Sequence, residues 1–160
     1  MDFLWTPWRY RYIADPNKND HCIFCDAQTM GDEKAHIVLR GELNYVILNA
    51  FPYTAGHVMI VPYAHVGDLA LATPETLAEM MRMAQQVQAA LAKVYKPEGF
   101  NLGMNLGRCA GAGVTGHIHL HLLPRWVGDA NFMTTVSETR MEPEELDTTF
   151  NKLRQALGAK

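Results

Sequence analysis

Long apolar runs are missing from this 160-residue sequence: none approaches the ~20 residues that a helix needs to cross a bilayer. The first residues, Met1 to Ile13, also lack the charged start, apolar centre and small-residue cleavage site of a secretory signal, so a cytoplasmic location is expected. Cysteine is scarce. The three residues, Cys22, Cys25 and Cys109, give no disulfide framework. Positive charge is not in surplus either, since 14 Lys and Arg stand against 17 Asp and Glu for a formal net charge of -3. A broad, sequence-independent grip on nucleic acid needs clustered Lys and Arg and is therefore not expected. A nucleotide is not excluded, because one phosphate site can be built from a few donors and backbone N–H groups. Repeats and low-complexity tracts are absent.

What is present is an ordinary globular composition, 48% hydrophobic and 19% charged, at a length that suits one domain with a single core. Residues 1–20 read as an N-terminal arm carrying Trp5, Trp8 and Arg9, which stays ordered only if its aromatics dock. Three β-like runs follow, His36 to Arg40, Leu43 to Leu48, and His57 to Val61; the last is entered through Thr54-Ala55-Gly56 and closed by Pro62. The clearest predicted helix covers Pro74 to Tyr95, with Thr73 as N-cap, Pro74 at the first helical position and Glu75 at the positive end of the dipole. Leu77, Met80, Met81, Ala84, Val87, Leu91 and Val94 recur at helical spacing and are expected to form its buried stripe. Two further strands, Phe100 to Asn105 and His117 to Leu123, flank a glycine-rich loop at 107–113, and a last helix is expected from Pro143 to Leu157. Strands in runs with one long helix between them favour an α+β antiparallel design over βαβ repetition.

The sharpest feature is Gly116-His117-Ile118-His119-Leu120-His121-Leu122-Leu123-Pro124. Side chains alternate along a strand, so His117, His119 and His121 share one face and Ile118, Leu120 and Leu122 the other. Three readings compete: a polar surface strand, a metal site built from two or three rings, and nucleophilic catalysis. Neutral imidazole is a good nucleophile near pH 7. Attack on phosphorus would divide one displacement into two, with flanking rings binding phosphate oxygens or protonating a leaving group. The glycine-rich loop running into this strand suits phosphate binding through its backbone N–H groups. Separately, Cys22-Ile23-Phe24-Cys25 is a C-x-x-C better suited to zinc than to redox chemistry, since no βαβ pattern adjoins it. Two more ligands are needed, and spacing leaves His21, His36, His57, His65 and one of the three strand histidines open.

Asn49 to Pro62 (NAFPYTAGHVMIVP), His65-Val66, Asn105-Leu106-Gly107 and Gly116 to Trp126 (GHIHLHLLPRW) together resemble the histidine triad (HIT) superfamily across roughly residues 20–130. Leu4 to Arg9, Met104 to Gly107, Ala110 to Gly113 and Pro124-Arg125-Trp126 extend the resemblance towards its bacterial diadenosine tetraphosphate phosphorylase-like and fragile histidine triad branch. The resemblance implies an antiparallel HIT-like sheet with helices and a two-fold homodimer. It also implies one HIT domain over 1–160, with arm 1–20, core 21–130 and C-terminal extension 131–160. The implied activity is cleavage of a dinucleoside polyphosphate through a nucleotidyl-histidine, with phosphate or water as acceptor. A nucleoside phosphoramidate hydrolase and a nucleotide-binding module are the alternatives. By resemblance His119 is the nucleophile, and His121 and His57 line the phosphate site. Asn105, Gly111, Ala112 and Gly113 contact phosphate, Asn49 the nucleoside, and Trp126 matches an aromatic position after the triad. Zinc-containing relatives imply a structural zinc on Cys22, Cys25, His65 and His117. One departure stands out: the glycine loop near Ala112-Gly113 lacks the hydroxyl residue of some phosphorylase-branch members.

Overall fold

A computed structural model describes residues 21–130 and 144–159. The expected arm 1–20 and most of the linking part of the C-terminal extension lie outside the described residues, including Pro143, where the last helix was expected to begin. The described elements in chain order are helix α1 (Ile23–Thr29), one helical turn α2 (Asp32–Ala35), strands β1 (Ile37–Arg40), β2 (Asn44–Leu48) and β3 (Val58–Pro62), helix α3 (Pro74–Tyr95), strands β4 (Gly99–Gly103) and β5 (Leu120–Arg125), and helix α4 (Leu146–Leu157). The five strands form one antiparallel sheet in the order β1-β2-β3-β5-β4. This is the expected α+β class.

Strand alternation sorts the core into two layers. Val46, Leu48, Val58, Ile60, Leu120 and Leu122 face α3 and α4, where Met80, Val87, Leu91, Phe150 and Leu153 meet them. Tyr45, Ile47, Met59 and Val61 face the other way and pack with Ile37 against Phe24 and Ala27 of α1. Helix α3 starts as its sequence requires: Thr73 Oγ1 accepts from the N–H of Thr76, and Pro74 occupies the first turn, where its missing N–H costs nothing. Its buried stripe is Thr76, Met80, Met83, Ala84, Val87, Ala90 and Leu91. The expected Met81 is instead half exposed, because it lies one ~100° step away from Met80 on the helix surface.

Strand ends shift from expectation by a residue or two, β4 running Gly99–Gly103 rather than Phe100 to Asn105, and two larger differences have local reasons. The last helix begins at Leu146, since the carboxylate of Glu144 is drawn off to Tyr95, Thr149 and Lys152 rather than lying in the first turn. The β5 ladder begins at Leu120 rather than His117. Strand β3 ends at Pro62, and residues 117–119 pair with the following loop, where the N–H of Ile118 donates to the carbonyl of Val66 at 2.8 Å. Gly67 permits this contact: a Cβ there would sit 3.0 Å from the carbonyl oxygen of Thr115. The histidine segment is thus pinned by a loop that carries His65.

Candidate active site and metal cluster

The face of the sheet opposite α3 carries a continuous file of rings. Starting from the β2–β3 hairpin, Tyr53 lies 4.8 Å from His57 between ring centroids, His57 lies 5.1 Å from His121, and His121 lies 4.9 Å from His119. Phe24 then stands 4.9 Å from His119 and 5.5 Å from His117, and His117 is 5.1 Å from His65. Elements that are far apart in sequence supply this file: α1, the hairpin before β3, the loop after it, and the segment entering β5. Met59 on β3 and Gly103 on β4 flank His121 in register. His57 reaches the file because Gly56 before it takes φ +79° and passes close to Leu91, where a Cβ would come within 2.9 Å of that side chain.

Hydrogen bonds fix the ring tautomers. The backbone N–H of Tyr53 donates to Nδ1 of His57 at 3.1 Å, so the proton of the neutral ring resides on Nε2. That Nε2–H faces Nδ1 of His121 at 3.0 Å and donates to it, which leaves the proton of His121 on its own Nε2. His119 donates from Nδ1 to the carbonyl of His117 at 2.9 Å, leaving its Nε2 with a bare lone pair. Burial holds the His119 ring below its ordinary pKa, against the pull of that carbonyl. His121 is pushed down to about 4, by burial first and by the neighbouring His119 second. Near neutral pH this constellation therefore offers one nucleophilic nitrogen on His119 and, beside it, an N–H donor on His121.

His57 itself is 1% exposed and both its ring nitrogens are engaged within the protein. Its Nε2 sits against Nδ1 of His121, so it is placed to orient that ring within the expected phosphate site. Asn49 turns its carbonyl oxygen to the N–H of Phe51 at 2.9 Å and its amide towards the ring of His57 at 3.4 Å, so it braces the hairpin. Gly111 and Ala112 follow a short 3-10 turn, Arg108–Ala110, in the loop between β4 and β5; Asn105 and Gly113 lie on either side of that turn. Trp126 stands edge-on to Tyr95 at 6.5 Å, on the α3 side of the sheet, and does not join the file of histidines within this chain.

At the other end of the file, Cys22, Cys25, His65 and His117 bring one ligand atom each within 4.8 Å of one another. Sγ of Cys22 is 3.3 Å from Nδ1 of His117, and Sγ of Cys25 is 3.2 Å from Nδ1 of His65 and 3.7 Å from Nδ1 of His117. Tetrahedral zinc with Zn–S near 2.3 Å and Zn–N near 2.05 Å would place sulfur and nitrogen roughly 3.6 Å apart, so the donor set fits that ion. The other ring nitrogen of His117 donates to the carbonyl of Pro62 at 2.8 Å, the kind of bond that orients an imidazole whose remaining nitrogen binds a metal. Burial and the adjacent Cys22 thiol push the Cys25 thiol up, a cost that a cation binding both sulfurs as thiolates removes. Of the five histidine options that spacing left open, geometry brings His65 and His117 to the cysteines. His57 serves the other end of the file, and His36 bonds Asp147 of α4 at 2.8 Å.

Three features of the site escaped the sequence reading. Phe24 was visible only as a letter inside the C-x-x-C motif, although it touches two of the histidines. The Tyr53 N–H that sets the tautomer of His57 is a backbone group with no residue signature. The docking of His36 on α4 depends on a left-handed residue at φ 55° closing α2.

The family model described as HIT domain matches residues 31–127. The AP-4-A phosphorylase of Mycobacterium tuberculosis is 40% identical over 154 residues, covering 91% of this chain and 79% of that protein. The asymmetrical bis(5'-nucleosyl)-tetraphosphatase of Schizosaccharomyces pombe is 30% identical over 95 residues, covering 59% of this chain and 52% of that protein. Among solved structures, a Zn-bound histidine triad family protein from Mycobacterium smegmatis superposes with a TM-score of 0.69 at 30% identity, covering 86% of this chain and 93% of that one.

Proposed function

The chain belongs to the HIT domain family, and from that premise we propose that it is an enzyme that cleaves a phosphoanhydride bond of dinucleoside polyphosphates. The relatives named above, a phosphorylase and a tetraphosphatase acting on such compounds, support the substrate class. The observation that carries the chemistry is the tautomer of His119: its Nδ1–H is spent on the carbonyl of His117, which leaves Nε2 ready to attack.

In this mechanism Nε2 of His119 attacks the α-phosphorus, a P–N bond forms, and the P–O bond to the departing nucleoside polyphosphate breaks. His121, held by His57, donates its Nε2–H to an oxygen of the reacting phosphate or leaving group. The loop of Gly111, Ala112 and Gly113, with Asn105, binds the charge that develops on phosphorus; the N–H groups of Gly111 and Ala112 donate to the carbonyls of Arg108 and Gly107 and so shape that loop. In the same proposal Asn49, at the hairpin it orders, contacts the nucleoside, and Trp126 contributes to substrate binding from a surface outside the histidine file. An acceptor oxygen then attacks phosphorus from the face the leaving group vacated; a new P–O bond forms, the P–N bond breaks, and its electron pair returns to Nε2 of His119.

The acceptor is tested by incubating the protein with diadenosine tetraphosphate, with and without orthophosphate, and separating the products. Orthophosphate as acceptor gives ADP plus ATP, and the similarity to the mycobacterial phosphorylase favours it. Water gives AMP plus ATP in both tubes. Absence of any product in either would overturn the substrate class.

Cys22, Cys25, His65 and His117 would hold a zinc ion with all four positions filled by protein, a structural site with none left for a substrate. Such an ion would tie α1 to the histidine segment. A two-fold homodimer is part of the same proposal. Strand β4 is an edge of the sheet, with Leu102 on it and Leu106 just beyond both exposed, and an open edge bearing apolar side chains is a surface that a second copy can cover. A single domain is proposed as well, both core layers being built on one sheet. No helix among the described residues is long and apolar enough to cross a membrane.

A further inference from the structure

A single hydrogen bond does not fully aim an imidazole. The bond from His119 Nδ1 to the carbonyl of His117 fixes one corner of the ring but leaves it free to rock about its Cβ–Cγ axis, a torsion with a broad well. Two rings fill the space on either side of it: His121, edge-on at 4.9 Å, and Phe24, tilted by 47° at 4.9 Å. Phe24 is 3% exposed and contacts His117 as well, edge-on at 5.5 Å. Its backbone is also fixed. The carbonyl of Phe24 accepts from the buried hydroxyl of Tyr45 at 2.7 Å, and the residue lies between the two cysteines of the metal cluster.

We propose that Phe24 is a positioning residue for the nucleophile, holding the ring of His119 so that Nε2 points to the reacting phosphorus, and that the cysteine cluster anchors Phe24 for this purpose. The inference rests on the nucleotidyl-transfer reading above. The reason Phe suits the place is geometric. A flat, rigid ring with two torsions meets the imidazole at a defined angle, here 47°, whereas Leu or Met of similar bulk fills the volume without defining a plane. A metal cluster with no vacancy for substrate is then coupled to catalysis through packing: it sets the position of α1, α1 sets Phe24, and Phe24 sets the angle of His119.

The test compares the zinc-loaded wild type with Phe24→Leu and Phe24→Met. Metal content, thermal midpoint, steady-state kinetics on diadenosine tetraphosphate and the imidazole N–H resonances are measured on each. The expected result is unchanged zinc content and a kcat lower by about 10- to 100-fold, the scale on which ~1 Å misplacements of reacting groups act, with KM little changed. In the same variants the hydrogen-bonded Nδ1–H resonance of His119, protected from exchange in the wild type, is broadened or lost. Because the resonance is read without turnover, an inactive wild type would refute the reaction while leaving the positioning claim open to its own readout. Retention of both kcat and the protected resonance in either variant with zinc bound would overturn the proposal. So would a fall of kcat that only tracks loss of zinc and of thermal midpoint in both variants, since Phe24 would then be core packing alone.

Discussion

At the scale of single residues, function turns on where four protons sit. Tyr53 N–H, His57 Nε2–H, His121 Nε2–H and His119 Nδ1–H form two short series that together leave Nε2 of the buried His119 unprotonated, with the Nε2–H of His121 on the neighbouring ring. His119→Ala removes the proposed nucleophile alone; it is expected to fold, to bind zinc as the wild type does, and to lose at least ~10³ of turnover, checked by steady-state assay beside metal analysis. His57→Phe keeps a buried ring but removes the donor to His121 and the acceptor for Tyr53. A loss of about 10²-fold in kcat is expected from the misdirected His121, and an assay showing wild-type kcat would refute the orienting role. The pH dependence has a definite sign. His121 is pushed to about 4 in the folded protein against an ordinary value of 6.5, so the unfolded chain binds the extra proton first as pH falls. Its contribution to stability is complete above about 6.5 and is lost as pH drops from there towards about 4. Replacing His121 by Asn should flatten the fall of thermal midpoint across that window, measured by calorimetry at several pH values.

At the scale of elements, the Cys22, Cys25, His65 and His117 cluster brings α1 to the segment that enters β5, and the proposed zinc would tie the two together. Cys22→Ser is expected to lose stoichiometric zinc and lower the thermal midpoint, whereas His119→Ala, two residues from a ligand, retains both; metal analysis and calorimetry on the pair separate the cluster from the nucleophile. Helix α4 is fastened by apolar burial and by ion pairs. Leu153 is fully buried against α3 and the sheet, so Leu153→Ala should cost 2–5 kcal/mol, read by denaturant unfolding. The Arg154–Asp32 ion pair and the His36–Asp147 hydrogen bond at the same junction are partly exposed and contribute far less. Much of this element layer was legible in the sequence. The α3 boundaries follow from Thr73, Pro74 and Pro97, and the alternation at 117–123 placed Leu120 and Leu122 in the core and the histidines opposite. Strand ends were less legible: whether His117 pairs with β3 or with the loop after it depends on where Pro62 turns the chain away and on Gly67 allowing a close backbone approach, which no local pattern expresses.

At the scale of the whole molecule, one sheet separates two tasks. The face covered by α3 and α4 supplies most of the apolar core, and the other carries the file of rings from Tyr53 to His65. The histidines and cysteines of the candidate site were legible because residue types with few structural uses occur there at strand and metal spacing. Phe24 and Tyr53 were not, since an aromatic residue in a hydrophobic neighbourhood gives no sign of which ring it will meet. The division of labour among histidines likewise emerges only in three dimensions: His65 and His117 meet the cysteines because a loop closes over residues 115–116, while His57 is turned inward behind His121.

The central claim is that His119 carries the nucleotide between the two half-reactions. The most direct measurement is a single turnover on diadenosine tetraphosphate without orthophosphate, quenched in alkaline denaturant because the P–N bond is labile in acid, followed by mass analysis of the protein and its peptides. The expected result is one adenylyl group on the peptide containing His119, formed at a rate no slower than turnover and absent from His119→Ala. Full turnover with no adduct at any quench time, or an adduct on another residue that persists in His119→Ala, would contradict it.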